Sequence, residues 1–202
     1  MCKSKCCICL GAIFIAILSF TYYVGLWQQI IAYPSYLPKS IFLYKSVQVP
    51  YYKLGSVFDQ VYNDLIQLKM RADDIVFTSI YYDDPKTLGK YTYPRSDIGV
   101  SFPPEYNNKV LLKKLKLLNY HEAILPEARV LQTYLPANIE ASFLVNIIKA
   151  YPVLEKASEE MKEYSHSPFV EVTKKGCVYT SLVIDDKVKE YTVSALPKPK
   201  TI

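Results

Sequence analysis

Between Ile8 and Trp27 the chain reads ICLGAIFIAILSFTYYVGLW, a run without a single charge. At about twenty residues it has the length a helix needs to cross a hydrocarbon core. It carries no polar face, which argues against a helix half-buried on a globular domain. Tyr22, Tyr23 and Trp27 stand near its far end, where amphipathic rings favour a membrane interface. The competing reading is a cleaved signal peptide, whose apolar region is shorter and whose cut follows small residues; Ser19, Phe20 and Thr21 suit that poorly. The pattern therefore predicts one transmembrane helix over residues 8–30, held in a lipid bilayer. Residues 1–7 precede it as a Cys/Lys segment, and 31–38, with Pro34 and Pro38, follow as a stiff linker. Orientation is nearly balanced, with Lys3 and Lys5 on one flank and Lys39 and Lys45 on the other.

Cysteine usage sharpens this picture. Cys2, Cys6, Cys7 and Cys9 crowd beside the apolar run, where they are candidates for S-acylation. A zinc cluster is the alternative, but ligands this close together seldom close around one ion. Cys177 is alone in the rest of the chain, so no disulfide can form there, and no Asn-x-Ser/Thr sequon occurs. Both features fit a domain facing the cytosol. The net charge of +5 includes Lys3 and Lys5; beyond residue 35 the balance is 22 basic against 19 acidic residues. That is too mild for a nucleic-acid-binding face, and no nucleic-acid partner is expected. His121 and His166 lack ligand spacing, so no metal site is expected. Six glycines supply no phosphate-cradling loop, and no cofactor is implied.

The remaining chain suits one domain, and it is written twice. A strand near Ile41–Tyr44 precedes a helix with Val57, Val61, Leu65 and Leu68 on one stripe and Ser56 as its cap. Strands over 75–83 and about 96–102 follow, then a Lys/Leu helix at 109–119. The second half repeats the order: a strand at 128–135 and a helix capped by Asn138 with Ile139, Phe143 and Ile147 on its apolar face. That helix is interrupted at Pro152, and strands at 168–173 and 177–184 complete the unit. This predicts an α+β fold, a duplicated strand–helix–strand–strand domain with an antiparallel sheet and helices on one face, over 39–184. Residues 185–202 read as a short tail.

In the run Pro168–Thr173 side chains alternate, so Phe169, Glu171 and Thr173 share one face. Phe77, Ser79 and Tyr81 form the matching face of the first repeat. A carboxylate set among aromatic rings suits a cationic or flat aromatic ligand. The alternative is a glutamate on a wet sheet face.

The anchor, Ile80-Tyr81-Tyr82-Asp83-Asp84-Pro85, the Tyr151-Pro152 helix break and Phe169-Val170-Glu171-Val172 come in the order found in GyrI-like domains. Over roughly Pro38–Ile184 the chain resembles that superfamily, and within it the membrane-anchored, testis-expressed reticulophagy receptor type. The resemblance implies a small-molecule pocket between the repeats with Glu171 at its floor. Tyr81 is the first aromatic candidate by facing, with Tyr134 and Tyr44 as further ones. Some relatives hydrolyse small electrophiles, so the resemblance also carries an alternative function: a hydrolase using Glu171 as acid/base, which requires a water within hydrogen-bond reach. The anchored branch implies a single-pass protein of the endoplasmic reticulum with a cytosolic domain, acting as an adaptor for a protein partner through a tail motif. Here Tyr191 is followed three places on by Ser194 rather than an aliphatic residue. Tyr62–Leu65, Phe169–Val172 and Tyr179–Leu182 have the motif's letters inside predicted elements.

Overall fold

Eight strands make one antiparallel sheet in the computed structural model, which describes residues 2–84, 87–89, 92–106, 108–137, 140–161 and 167–198. The strands are β1 (Tyr33–Leu37), β2 (Ser40–Gln48), β3 (Phe77–Tyr81), β4 (Arg95–Phe102), β5 (His121–Leu125), β6 (Ala128–Pro136), β7 (Phe169–Lys174) and β8 (Cys177–Val183). The helices are α1 (Cys2–Tyr23), α2 (Leu54–Gln67), α3 (Lys109–Leu117) and α4 (Glu140–Met161). Pro85, Asn138 and His166 lie outside the described residues.

The strand order is β1-β6-β8-β7-β3-β4-β2-β5. Its two ends belong together. The β1–β6 ladder runs from Tyr33 opposite Gln132 to Leu37 opposite Ala128, and β2–β5 continues in the same register from Ser40 opposite Leu125 to Tyr44 opposite His121. Residues 33–44 and 121–132 are thus two long strands paired along their length, each with a proline (Pro38, Pro126) where the ladder is interrupted. A proline has no N–H to give a ladder, so it suits such a break. This pairing joins the opposite ends of the order, and the sheet curls back on itself.

The two repeats meet at β3 and β7, where Phe77, Ser79 and Tyr81 oppose Thr173, Glu171 and Phe169. The strand order is symmetric about this pair, with Ser79 opposite Glu171 at its middle. One face carries the helices. Val61 and Leu65 of α2 and Leu111 and Leu115 of α3 pack on Leu43, Ile98 and Val100. Val145, Ala150 and Leu154 of α4 cover Leu131, Leu135 and Leu182. Inside the curl lie Phe42, Tyr44, Ile80, Val130, Val170 and Val183. Gly99 permits the closest approach: a Cβ there would stand 1.9 Å from the Leu43 carbonyl oxygen.

Three expected boundaries differ. The linker over 31–38 contains strand β1, because Pro34 sits in an edge strand whose outer side needs no donor and Pro38 falls where the ladder is interrupted. The tail packs on the domain over 186–191, a 3-10 turn whose Tyr191 is 1 % exposed and whose hydroxyl donates to the Pro126 carbonyl at 2.7 Å. The N-terminal helix ends at Tyr23, earlier than residue 30, in a turn through Gly25 at φ 86°. Among the described residues no helix is long and apolar enough to cross a membrane. The side chains of α1 are described from Cys9 onward, and Leu10, Ile13, Phe14, Ile15, Ile17 and Phe20 all stand exposed.

Candidate functional site

Glu171 lies at the centre of the sheet on the helix-bearing face, 6 % exposed. Its cross-strand neighbours are Ser79 on β3 and Thr180 on β8. Tyr81 donates its hydroxyl to Oε2 at 3.0 Å. On Oε1, Asn146 Nδ2 donates at 2.6 Å, the Tyr151 hydroxyl at 3.1 Å and Thr180 Oγ1 at 3.5 Å. Asn146 and Thr180 are also bonded to each other. These donors are neutral, and among the described residues no ammonium or guanidinium pairs with the carboxylate.

The electrostatics follow from that arrangement. Burial pushes the Glu171 carboxyl above its ordinary value, and the hydrogen bonds of Tyr81, Tyr151, Thr180 and Asn146 oppose the shift without cancelling it. Burial, then the charge of Glu171, hold the Tyr81 and Tyr151 hydroxyls well above the usual phenol range. Rings surround the carboxylate. Tyr51 meets Tyr81 edge-on at 5.6 Å, Tyr81 meets Tyr151 at 6.4 Å, and Tyr151 tilts against Phe169 at 4.7 Å. Further out, Phe58 of α2 and Phe143 of α4 approach to 6.3 Å, bringing the two helices together. A buried carboxylate with aromatic walls and no cationic side chain beside it among the described residues can pair with a ligand cation while the rings contact its faces.

Sequence reasoning placed Glu171 and Tyr81 together, and so does the structure. Tyr44 and Tyr134 belong elsewhere. Along one row of the sheet Tyr44 lies opposite Gly99, Gly99 opposite Thr78, Thr78 opposite Val172, Val172 opposite Tyr179 and Tyr179 opposite Tyr134. Side chains of one row share a face, and this one is the face opposite Glu171. Tyr44 stacks on Phe42 at 4.8 Å and donates to the Val193 carbonyl, and Tyr134 is half exposed beside Tyr179. Asn146, Tyr151, Thr180 and Tyr51 were missed. The signal for Asn146 was a pair of polar residues, Ser142 and Asn146, one helical turn apart. The apolar stripe read through Phe143 and Ile147 is turned from the buried one, which runs Ser142, Asn146, Ala150 and Leu154, and Ile147 is exposed. Cys9 is free and exposed; the side chains of Cys2, Cys6 and Cys7 lie outside the described set. Among the described residues no group of His, Cys, Asp and Glu is placed to hold a metal ion.

No family model and no curated protein matches this chain by sequence. Solved structures share its fold. A protein called SAV2435, solved bound to tetraphenylphosphonium, superposes with a TM-score of 0.51 at 7 % identity, over 77 % of this chain and 94 % of that one. The C-terminal domain of EcmrR gives 0.50 at 10 % identity, over 77 % and 98 %. These likenesses are of fold alone: they show a shared α+β architecture, consistent with the GyrI-like one. They lend no support to the reticulophagy receptor type.

Proposed function

We propose that this protein is a small-molecule-binding module that takes a planar or aromatic cation at Glu171. The observation that carries the reading is a carboxylate 6 % exposed, raised by burial, ringed by Tyr81, Tyr151, Tyr51 and Phe169 and held, among the described residues, by neutral donors. A ligand cation would relieve the desolvated charge, and each ring face adds about 0.5–2 kcal/mol. The ligand of SAV2435, a phosphonium bearing aryl groups, is of this chemical kind. Among the described residues the groups in contact with Glu171 are an amide and hydroxyls, two of them phenols held well above their usual range, with no second carboxylate or imidazole. That set favours binding over hydrolysis.

Calorimetry on the full chain in detergent tests it, with tetraphenylphosphonium against neutral triphenylphosphine oxide. Glu171→Gln should lower affinity for the cation by about tenfold or more, ~1.4 kcal/mol, and leave the neutral compound unaffected. Equal losses for both, or none, would sink the charge-pairing reading.

We further propose that α1 seats the protein in a bilayer, that of the endoplasmic reticulum by resemblance, with the domain in the cytosol. Support comes from the charge-free run and from a helix whose apolar side chains stand exposed instead of packing on the domain. A reticulophagy adaptor role is not proposed. Tyr62–Leu65 lies in α2, Phe169–Val172 in β7 and Tyr179–Leu182 in β8, where Leu65, Val170 and Leu182 belong to the core.

A further inference from the structure

Three side chains, Asn146, Tyr151 and Thr180, crowd Oε1 of Glu171 while Tyr81 alone donates to Oε2, so a ligand group that takes the Oε1 side displaces one of its partners. Tyr81 is fixed on β3 between β4 and β7, and Thr180 on β8 between β6 and β7. The remaining two, Asn146 and Tyr151, come from α4. That helix contains Pro152, which has no N–H for the Ile148 carbonyl and so weakens the helix beside Tyr151. One turn before Asn146, the Ser142 hydroxyl is 1 % exposed and has no hydrogen-bond partner among the described residues. This half of α4 is therefore both the less restrained wall of the site and the one with unsatisfied polar capacity.

The same half-helix grips the end of α1. Lys149, three residues after Asn146, donates its ammonium to the carbonyls of Leu26 and Gln28. Val145 and Ala150 pack with Val24 and Leu135, and the turn at Gly25 sits within 3.2–3.3 Å of Pro136 and Leu135 by its would-be Cβ. The chain leaving α1 is thus seated on the domain by residues that lie within a turn of Asn146.

We infer that residues 140–151 of α4 are the moving part of the ligand site. The Asn146 amide holds the place of the ligand's positive group on Glu171, and its displacement is carried through Lys149 to the segment 24–28. The inference rests on the small-molecule reading of Glu171 and adds an output to it: occupancy sets how tightly the end of α1 is held. By reciprocity, anything that loosens 24–28 must favour the ligand.

Hydrogen exchange on the full chain in detergent reads the coupling at the amides of Gly25, Leu26 and Gln28, which donate to Tyr22, Thr21 and Gly25 carbonyls. Saturating tetraphenylphosphonium should speed exchange there by about fivefold or more. Asn146→Leu should do so with no ligand present. Lys149→Met should free the segment and tighten tetraphenylphosphonium by a similar factor. Unchanged exchange in folded Asn146→Leu, or in wild type shown by calorimetry to be saturated, overturns the inference. So does unaltered affinity in Lys149→Met. If wild type binds no cation, the functional reading fails, and Asn146→Leu still decides whether the two ends of this half-helix are coupled. Should that variant not fold, Lys149→Met decides through its affinity.

Discussion

Arg95 and Asp83 form an ion pair with side chains 7 % and 6 % exposed, at the start of β4. Asp83 Oδ2 accepts from the Arg95 backbone N–H and Nε, both at 2.9 Å, and Oδ1 accepts from Nη2 at 2.8 Å. Burial works to raise the Asp83 carboxyl, but the hydrogen bonds and charge of Arg95 outweigh it and hold the group below its ordinary value. Arg95→Met keeps most of the stem and leaves a buried carboxylate with a single backbone donor. Stranding one partner of a buried pair costs about 3–5 kcal/mol. The retained donor and stem put this case near the lower bound, about 3 kcal/mol, or a fall in Tm of about 6–12 °C for a domain of this size. The sign with pH follows. In wild type the lowered Asp83 adds stability above the unfolded carboxylate value and loses it as acid takes pH through the folded value. In the variant the Arg95 side chain no longer offsets burial, which raises Asp83 relative to wild type against the retained backbone N–H and the charge of Lys198, so the deficit is greatest at neutral pH and narrows toward the carboxylate range. Thermal unfolding followed by circular dichroism, across that pH range, checks both size and slope. Asp83→Asn combined with Arg95→Met should recover most of the loss. A deficit below about 1 kcal/mol at neutral pH, or one flat with pH, would refute the reasoning. Because the Asp83 carbonyl accepts from the Tyr51 hydroxyl at 3.0 Å, the variant should also weaken ligand binding at Glu171.

Glu171 predicts the opposite trend. With its folded value raised, it costs stability as pH climbs through and above the unfolded carboxylate value, so wild type should lose ground to Glu171→Gln toward neutrality; parallel unfolding curves would contradict this. Gly99→Ala should cost at least about 2 kcal/mol, because the atoms a Cβ meets are backbone of Leu43 and Tyr44; an unchanged unfolding midpoint would show that the ladder yields freely. Carbonate extraction should leave the full chain in the membrane pellet, and protease added to sealed microsomes should digest the domain. A shortened soluble product, or full protection, would refute anchor and orientation respectively.

What was legible in the sequence depended on how far each inference had to reach. The face shared by Phe169, Glu171 and Thr173 follows from alternation within one strand, and the matching run Phe77, Ser79 and Tyr81 meets it residue for residue. Tyr44 and Tyr134 could not be assigned that way, because their face depends on register carried across six strands. Asn146 and Tyr151 were hidden by the usual equation of a buried stripe with an apolar one. The floor beneath α4 is a carboxylate, so polar side chains are drawn inward there and Ile147 is left outside. Pro34 and Pro38 looked like a connector because nothing local reveals that a strand 99 residues away will take Tyr33's segment into a sheet.

The curl of the sheet also orders events during synthesis. Residues 33–44 cannot pair with 121–132 until that stretch has left the ribosome, so the first repeat waits with one long edge of β2 unpaired even after β4 has taken the other. Pairings this distant close slowly and leave sticky edges exposed meanwhile. Only β4 can cover one of those edges early, and the other stays open for most of translation. A nascent chain halted before residue 121 should therefore be bound by chaperones and cut readily by protease, whereas the full chain held on a C-terminal extension long enough to free β8 from the exit tunnel should resist.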